Sequence, residues 1–456
     1  MILAASACAL LVGAAAAQAP EGEASPVSQE VEGFRATQAT IIAFENARII
    51  DGTGAPPRDN QTLVVRDGRI LAIGPTGGVT IPEGAERHSL AGHSILPGYV
   101  MLHEHMMYFS GQRVWHSQPV SYPRLYLAAG VTTVRTAGGD FPYVDLNLAA
   151  RIASRRIAGP AIFVTSPNIN GPDDSFIGDV VIRNADDARR EVDYWAARGA
   201  TSFKAYAGLE PDLLRAVVVR AHALGLPVTA HLGRTSCAQA TELGIDNLEH
   251  SFSACLPELG VQIGPDGGLQ GTMDRDRAQA LIRALVDAGV VLTSTPMALE
   301  DPSPELRELL HPTALANWTS GRGRPPQGFI DAEPLIRTLE RDFLAAGGRM
   351  VIGADAENFA RVAGDANLRA LELLASAGHR PIDIIRMATL EGARFLGIDG
   401  DTGTIAPGKQ ADLIVVRGDP ARNISDVRQI RWVLSDGIVY DPVRLRSSVR
   451  GMVGWH

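Results

Sequence analysis

Cysteine is scarce in this 456-residue chain: Cys8, Cys237 and Cys255 are the only three. So small a number excludes a cysteine-based zinc site or a disulfide-dense scaffold. Positive charge is also in deficit, with 42 Lys and Arg against 51 Asp and Glu for a formal net charge of −9. No basic surface is left to attract nucleic-acid phosphates, and a small-molecule partner is the expectation. With 45% hydrophobic and 20% charged residues, the composition is that of an ordinary globular protein rather than a disordered or membrane-embedded one.

Residues 1–19, MILAASACALLVGAAAAQA, form an alanine-rich apolar run ending in small residues suited to signal peptidase, although it lacks a positively charged start. The run is short and poor in large apolar side chains for a membrane span of about 20 residues. It therefore reads as a cleaved signal peptide that takes Cys8 with it. Periplasmic or secreted location, without membrane contact after cleavage, is the expectation. Residues 20–38, rich in Glu, Ser, Gln and Pro, read as a flexible spacer.

From Ile41 onward the pattern is strand-like. VVRDGRILAIG (Val64 to Gly74) predicts a hairpin turning at Asp67-Gly68, and IRWVLSDGIVYD (Ile430 to Asp441) predicts another at Asp436-Gly437, after the strand ADLIVVRGD (Ala411 to Asp419). Neither end can bury a face alone. The two ends are expected to combine as one small β-sandwich, from residues 39–95 and 396–456.

Between them, over residues 96–395, short apolar runs alternate with helical patterns. The runs are GYVMLH from Gly98, VTTVRT from Val131, AIFVTS from Ala161, TSFKAY from Thr201, PVTAHL from Pro227, DNLEHS from Asp246, VVLTST from Val290 and MVIGAD from Met350. Segments such as PDLLRAVVVRAHALG from Pro211 and RDRAQALIRALVDAG from Arg275 carry apolar residues at helical spacing. Eight βα units predict an α/β fold with a closed (β/α)8 TIM barrel. The long connections 256–274 and 300–331 are expected at its active-site end.

His103-Glu104-His105 follows the first run, and the two-residue period of a strand turns both imidazoles to one side. Such a pair alone is weak evidence. Lys204, His231, His250 and Asp355, however, stand near the ends of four other runs, and in a barrel these ends converge on one mouth.

The chain resembles the amidohydrolase superfamily, especially its imidazolonepropionase-related and prolidase-like members. The resemblance runs through NARIIDGTG (Asn46), LPGYVMLHEH (Leu96), GVTTVRTAGG (Gly130), FKAYAG (Phe203), TAHLG (Thr229), LEHSF (Leu248), IGADAE (Ile352) and GTIAPGKQADLIVV (Gly403). It implies that His103, His105 and Asp355 hold one divalent metal and that His231 and His250 hold a second. Lys204, as an N6-carboxylysine, would bridge the two. Two residues depart from the family pattern: Met101 stands where an aspartate is common, and Leu368 where prolidase-like relatives often carry histidine.

Neutral imidazoles and carboxylates suit zinc, and a lysine carbamate supplies the anionic oxygens that an ammonium lacks. Two metals sharing a water make it acidic enough to yield hydroxide near neutral pH, while Asp355 is placed to carry a proton to a leaving amine. Glu357 competes for that role. Tyr108, Arg113, His116 and Arg135 are candidate substrate contacts. His88, His93, His222, His311, His379 and His456 fall outside the strand ends and read as structural or exposed. The resulting expectation is a metal-dependent hydrolase of amide bonds in dipeptides or N-acyl amino acids. The alternatives are ring opening of a lactone, cyclic imide or imidazolone, and a metal-binding module without catalysis. The sequence leaves homo-oligomerisation open.

Overall fold

Asp67 and Gly68 have φ of 48° and 75°, and Asp436 and Gly437 repeat those values, the doubly left-handed geometry of a two-residue hairpin turn. The computed structural model describes residues 26–109, 115–176, 178–320, 327–357 and 361–454. Strands Arg58–Arg66 and Arg69–Pro75 flank the first turn, and Ile430–Ser435 and Ile438–Tyr440 the second. The turns come from opposite ends of the chain and touch. A Cβ added to Gly68 would lie 2.7 Å from the Cα of Gly437, a contact that only glycine permits.

His93–Pro97 pairs antiparallel with Leu413–Arg417, joining both chain ends in one eight-stranded sheet. The sheet curls until its outer hairpin meets the segment leading into Leu413. There Ile70 N–H donates to the Lys409 carbonyl at 2.9 Å and Ala411 N–H to that of Gly68 at 2.7 Å. Phe44, Leu63, Ile95, Leu413 and Leu434 fill the core so enclosed. The two layers anticipated for this domain are thus made by a single hydrogen-bonded sheet folded over its own apolar face.

The N-terminal segment departs from expectation. The signal-peptide segment and the first part of the spacer lie outside the described residues, but residues 26–38 are docked rather than flexible. Ser28 caps the helix Gln29–Glu32 by accepting from Val31 N–H. Val31 and Phe34 pack with Leu127, Tyr440 and Leu445, and the Arg124 guanidinium lies 5.0 Å from the Phe34 ring centroid. Backbone hydrogen bonds add to these contacts: Ala36 N–H donates to the Val439 carbonyl at 2.7 Å and Asp441 N–H to that of Phe34 at 2.9 Å.

Each of the eight apolar runs becomes a strand: β1 (Tyr99–Glu104), β2 (Val131–Thr136), β3 (Ala161–Phe163 resuming as Thr165–Asn170), β4 (Ser202–Ala205), β5 (Val228–Ala230), β6 (Asn247–Leu248), β7 (Val291–Ser294) and β8 (Arg349–Ile352). Successive strands pair in parallel, with the path changing partner at Val164. Helices such as Pro211–Ala223 and Arg275–Asp287 return the chain between them. The ring closes where β8 meets β1. Asp355 N–H donates to the His103 carbonyl at 2.9 Å, and a Cβ on Gly353 would stand 2.3 Å from that of His103, so a side chain there would force the two strands apart. The fold is a (β/α)8 barrel with an added β domain. Among the described residues no helix is long and apolar enough to cross a membrane.

The two long connections are more regular than expected. The first holds the hairpin Val261–Ile263 with Leu269–Gly271, the second the helices Pro304–Arg307 and Pro312–Thr319.

Cys237 and Cys255 form a disulfide, with Cα atoms 5.5 Å apart and a sequence separation of 18. It ties the helix Cys237–Leu243, which follows β5, to the turn that follows β6. Cross-linking a loop of this length stabilises by about 3 kcal/mol in the chain-entropy account. Denatured, unreduced protein should therefore show no reactive thiol from either residue, and Cys255→Ser should lower the denaturation midpoint. Two reactive thiols would rule the bridge out.

Candidate active site

The ends of β1, β4, β5, β6 and β8 place His103, His105, Lys204, His231, His250 and Asp355 around one cavity of about 310 Å³. His105 Nε2 lies 3.3 Å and His103 Nε2 3.5 Å from Asp355 Oδ1. One donor atom from each of these three residues falls within 4.8 Å of the others, close enough to share a cation. Opposite them, His250 Nε2 approaches His231 Nδ1 to 3.1 Å, and the His103 and His250 ring centroids are 4.4 Å apart. Two of these residues sit in left-handed backbone, Asp355 at φ 49° and His250 at φ 56°. Strain of this kind costs about 1–3 kcal/mol per residue and clusters at functional sites.

The electrostatics separate the two pairs. Burial, reinforced by the neighbouring Lys204 and His103, pushes His231 down to about 4. Burial and the His103 and His231 imidazoles likewise hold His250 well below its ordinary value. Both rings therefore keep a lone pair to offer at neutral pH. Burial opposes charge on His105 too, but Glu357 and Asp355 outweigh it and raise His105 to about 9, a proton that a divalent cation would replace. Asp355 is held well below the usual carboxylate range: burial works against this, and Arg361 and the two β1 imidazoles prevail. Arg361 Nη2 donates to Asp355 Oδ2 at 3.1 Å. Burial lowers the Lys204 amine, with Glu249 opposing. This donor set, neutral imidazoles with a carboxylate and a desolvated lysine, fits divalent metal ions.

Glu249 is the functional residue that sequence reasoning passed over. It is completely buried. Its Oε2 accepts from His103 Nδ1 at 2.7 Å, and its Oε1 accepts from Arg135 Nη2 at 2.6 Å and from the Thr229 hydroxyl. The signal was present in LEHS, where Asn247 and Glu249 share the barrel-facing parity of β6 and a carboxylate so placed must find cations. Glu104, between the two β1 histidines, points the other way. Its Oε1 accepts from Ala354 N–H at 2.9 Å and Asn367 Nδ2 at 2.8 Å, bracing the turn that carries Asp355.

Three expected substrate contacts lie elsewhere. Arg135 is fully buried below the mouth, bonded to Glu249 and to the Leu102 carbonyl. Tyr108 and His116 are directly opposite in the hairpin Met107–Phe109 with Trp115–Ser117 and so share a face. That face packs towards Tyr122, while Met107, of opposite parity, lines the cavity. Arg113 and His456 lie outside the described residues. Glu357 does reach the cavity, 3.6 Å from His105 Nε2, whereas Leu368 is buried in the helix Asp365–Ser376. The outer wall is formed by Tyr206, Met297, Phe329, Glu333 and Arg361; Tyr206 ends the run TSFKAY two residues after Lys204, whereas the other four stand in no local pattern that marks them in the sequence. From the two long connections, Phe329 alone of the described residues lines the cavity.

A closed barrel with imidazoles, a carboxylate and a desolvated lysine at the C-terminal ends of its strands defines a metal-dependent hydrolase. The chain belongs to the amidohydrolase family, whose model matches residues 95–439, and it is accordingly a hydrolase of carbon–nitrogen bonds with small-molecule substrates, not a binding module. It is 22% identical over 407 residues to the 5-methylthioadenosine/S-adenosylhomocysteine deaminase of Symbiobacterium thermophilum, covering 82% of this chain and 85% of that one. It is 25% identical over 428 residues to the imidazolonepropionase of Rhizobium rhizogenes, covering 82% and 91%. Among solved structures, a Xaa-Pro dipeptidase with bound methionine superposes with a TM-score of 0.68 at 20% identity, over 88% of this chain and 100% of that one. This last likeness concerns the fold.

Metal dependence gives a direct expectation. Protein stripped by a chelator should lose turnover and regain it as divalent metal is returned. Full turnover by protein shown to be metal-free would contradict it.

Proposed function

We propose that this chain is an exported hydrolase that uses two divalent metal ions, zinc foremost, to cleave the amide bond of a dipeptide or N-acyl amino acid. One observation carries the reading. Two donor groups, His103 with His105 and Asp355, and His231 with His250, face each other across one cavity that also receives the buried Lys204. The cavity's volume suits a ligand of dipeptide size.

His103, His105 and Asp355 would hold one ion and His231 and His250 the other, with Lys204 carboxylated between them. When bound, the ions supply Lewis acidity to a water and to the amide carbonyl. The chain's own residues do the rest. Asp355 accepts a proton from the attacking water and delivers it to the departing nitrogen, which an amide needs because its leaving group is poor. A carboxylate held so far below its ordinary pKa is a weak base, so it performs this step only on an acidified water. Arg361, bonded to Asp355 Oδ2, keeps the carboxylate ionised and oriented. Met297 and Phe329 supply apolar surface at the outer wall of the cavity.

Burial of the Lys204 amine favours the neutral form that takes up carbon dioxide. The Glu249 carboxylate, 3.7 Å away, favours the ammonium, and bound metal would tip the balance. Export is supported by the alanine-rich start of the chain and by the Cys237–Cys255 bridge, since disulfides persist in oxidising compartments. A second reading, hydrolytic opening of a ring, is favoured by the likeness to imidazolonepropionase along 82% of this chain.

Dipeptides and N-acyl amino acids assayed against lactones, cyclic imides and imidazolones separate the two, and turnover confined to the rings would transfer the assignment. On the preferred substrate, Asp355→Asn should lose about a hundredfold or more in kcat. Lys204→Ala should lose the second metal and most activity, with partial rescue by formate or acetate, and Lys204→Arg should be no better because it cannot form a carbamate. Near-normal kcat in Asp355→Asn together with an inactive Glu357→Gln would move the proton-transfer role to Glu357.

A further inference from the structure

Of the imidazoles that face the cavity, His103 has its outer nitrogen held by a carboxylate, and that carboxylate belongs to the strand carrying a ligand of the opposite group. Glu249 precedes His250 on the chain, yet its side chain reaches across the barrel to His103 Nδ1 at 2.7 Å. On the way it passes 3.7 Å from Lys204 Nζ. From the geometry we infer that Glu249 is a positioning residue that couples the two halves of the metal centre: it fixes the tautomer and aim of His103 while holding the β6 end that presents His250. The inference rests on the metal-centre reading above and adds a residue to which neither the family pattern nor the metal chemistry assigns a role.

A histidine presents its Nε2 lone pair only when the proton sits on Nδ1, and a carboxylate acceptor at Nδ1 enforces that tautomer. His103 Nε2 is the atom that faces Asp355. His105 lacks this support, for its buried Nδ1 has no hydrogen-bond partner among the described residues. His250 is held instead by a neutral hydroxyl, Thr295 Oγ1, 2.9 Å from Nδ1.

Glu249 is itself fixed from both sides. Arg135 and the Thr229 hydroxyl occupy Oε1, leaving Oε2 for His103. Arg135 also donates to the Leu102 carbonyl, one residue before His103, so the same guanidinium ties the carboxylate and the strand that it serves. An isolated charge here would be costly to bury. The paired one, charge-balanced by Arg135 and bonded at both oxygens, is rigid. A carboxylate can accept on both oxygens, whereas an amide accepts on one and presents donors on the other, so glutamine at this position can serve His103 or Arg135 but not both.

The test compares wild-type protein with Glu249→Gln, which keeps the shape of the side chain. Zinc affinity is measured at each site by competition with a chromophoric chelator. Melting of the metal-free proteins is followed in parallel, and kcat and KM are taken at saturating zinc. Loss of a hydrogen-bonding partner behind a metal-bound histidine costs about 10–100-fold in affinity. Glu249→Gln should lose that much at the first site and weaken the second, with lower kcat and little change in KM, while the metal-free protein melts at a lower temperature because Arg135 loses its counter-charge. Thr229→Val, which leaves the carboxylate but removes one of its holders, should shift affinity in the same direction by less, and it decides the matter if Glu249→Gln does not fold. Two tight zinc sites in wild type with unchanged affinity and kcat in both variants would overturn the positioning role and leave the metal centre standing. No zinc binding by wild type would overturn both.

Discussion

Everything at the mouth of this barrel depends on how closely its last strand approaches its first. Gly353 lets β8 lie against His103 without a side chain between them, and the hydrogen bond from Asp355 N–H to the His103 carbonyl closes the ring. That one contact brings the carboxylate of Asp355 to the imidazoles of His103 and His105, although about 250 residues separate them in sequence. Widening the gap by a methyl group would move Asp355 off both. The left-handed backbone at Asp355 is tolerated because Glu104, itself held by Asn367, and Arg361 grip the turn from two directions.

A second layer of constraint lies beneath the cavity. Arg135 and Glu249 are a completely buried ion pair, and removing one partner of such a pair costs about 3–5 kcal/mol because the other charge is stranded. Apolar side chains of similar volume would fill the same space without the cost of desolvating two charges. Specificity of orientation at His103 is a physical reason for keeping the pair. The disulfide acts on the other half of the site, tying the segments that leave β5 and β6 just beyond His231 and His250.

Much of this was legible in the sequence. The eight apolar runs became the eight barrel strands because strand burial in a parallel sheet leaves an almost unbroken apolar signature. The Asp-Gly turns followed from the positive φ that a two-residue hairpin requires. The six residues proposed as ligands meet because each stands at the end of a run, and strand ends converge in a barrel. Other features depended on geometry that local pattern does not carry. Arg135 also ends a run, but its long side chain turns inward to a buried carboxylate instead of reaching the cavity. Tyr108 and His116 follow β1 in a small hairpin in which Met107, of opposite parity, is the residue that lines the cavity. Residues 26–38 were misread because the composition of a polar stretch hides the two apolar side chains that dock it. Phe329, Glu333 and Arg361 reach the wall through tertiary packing of segments far apart in the chain.

The central claim is that two divalent ions are held by two facing groups with a modified lysine between them. A crystal structure of active, zinc-loaded protein, with anomalous diffraction measured at the zinc edge, tests it most directly. Two anomalous peaks are expected, one beside His103, His105 and Asp355 and the other beside His231 and His250, with density for a carboxylate on Lys204 Nζ reaching both. A single peak accompanied by an unmodified Lys204 ammonium paired to Glu249 would contradict it.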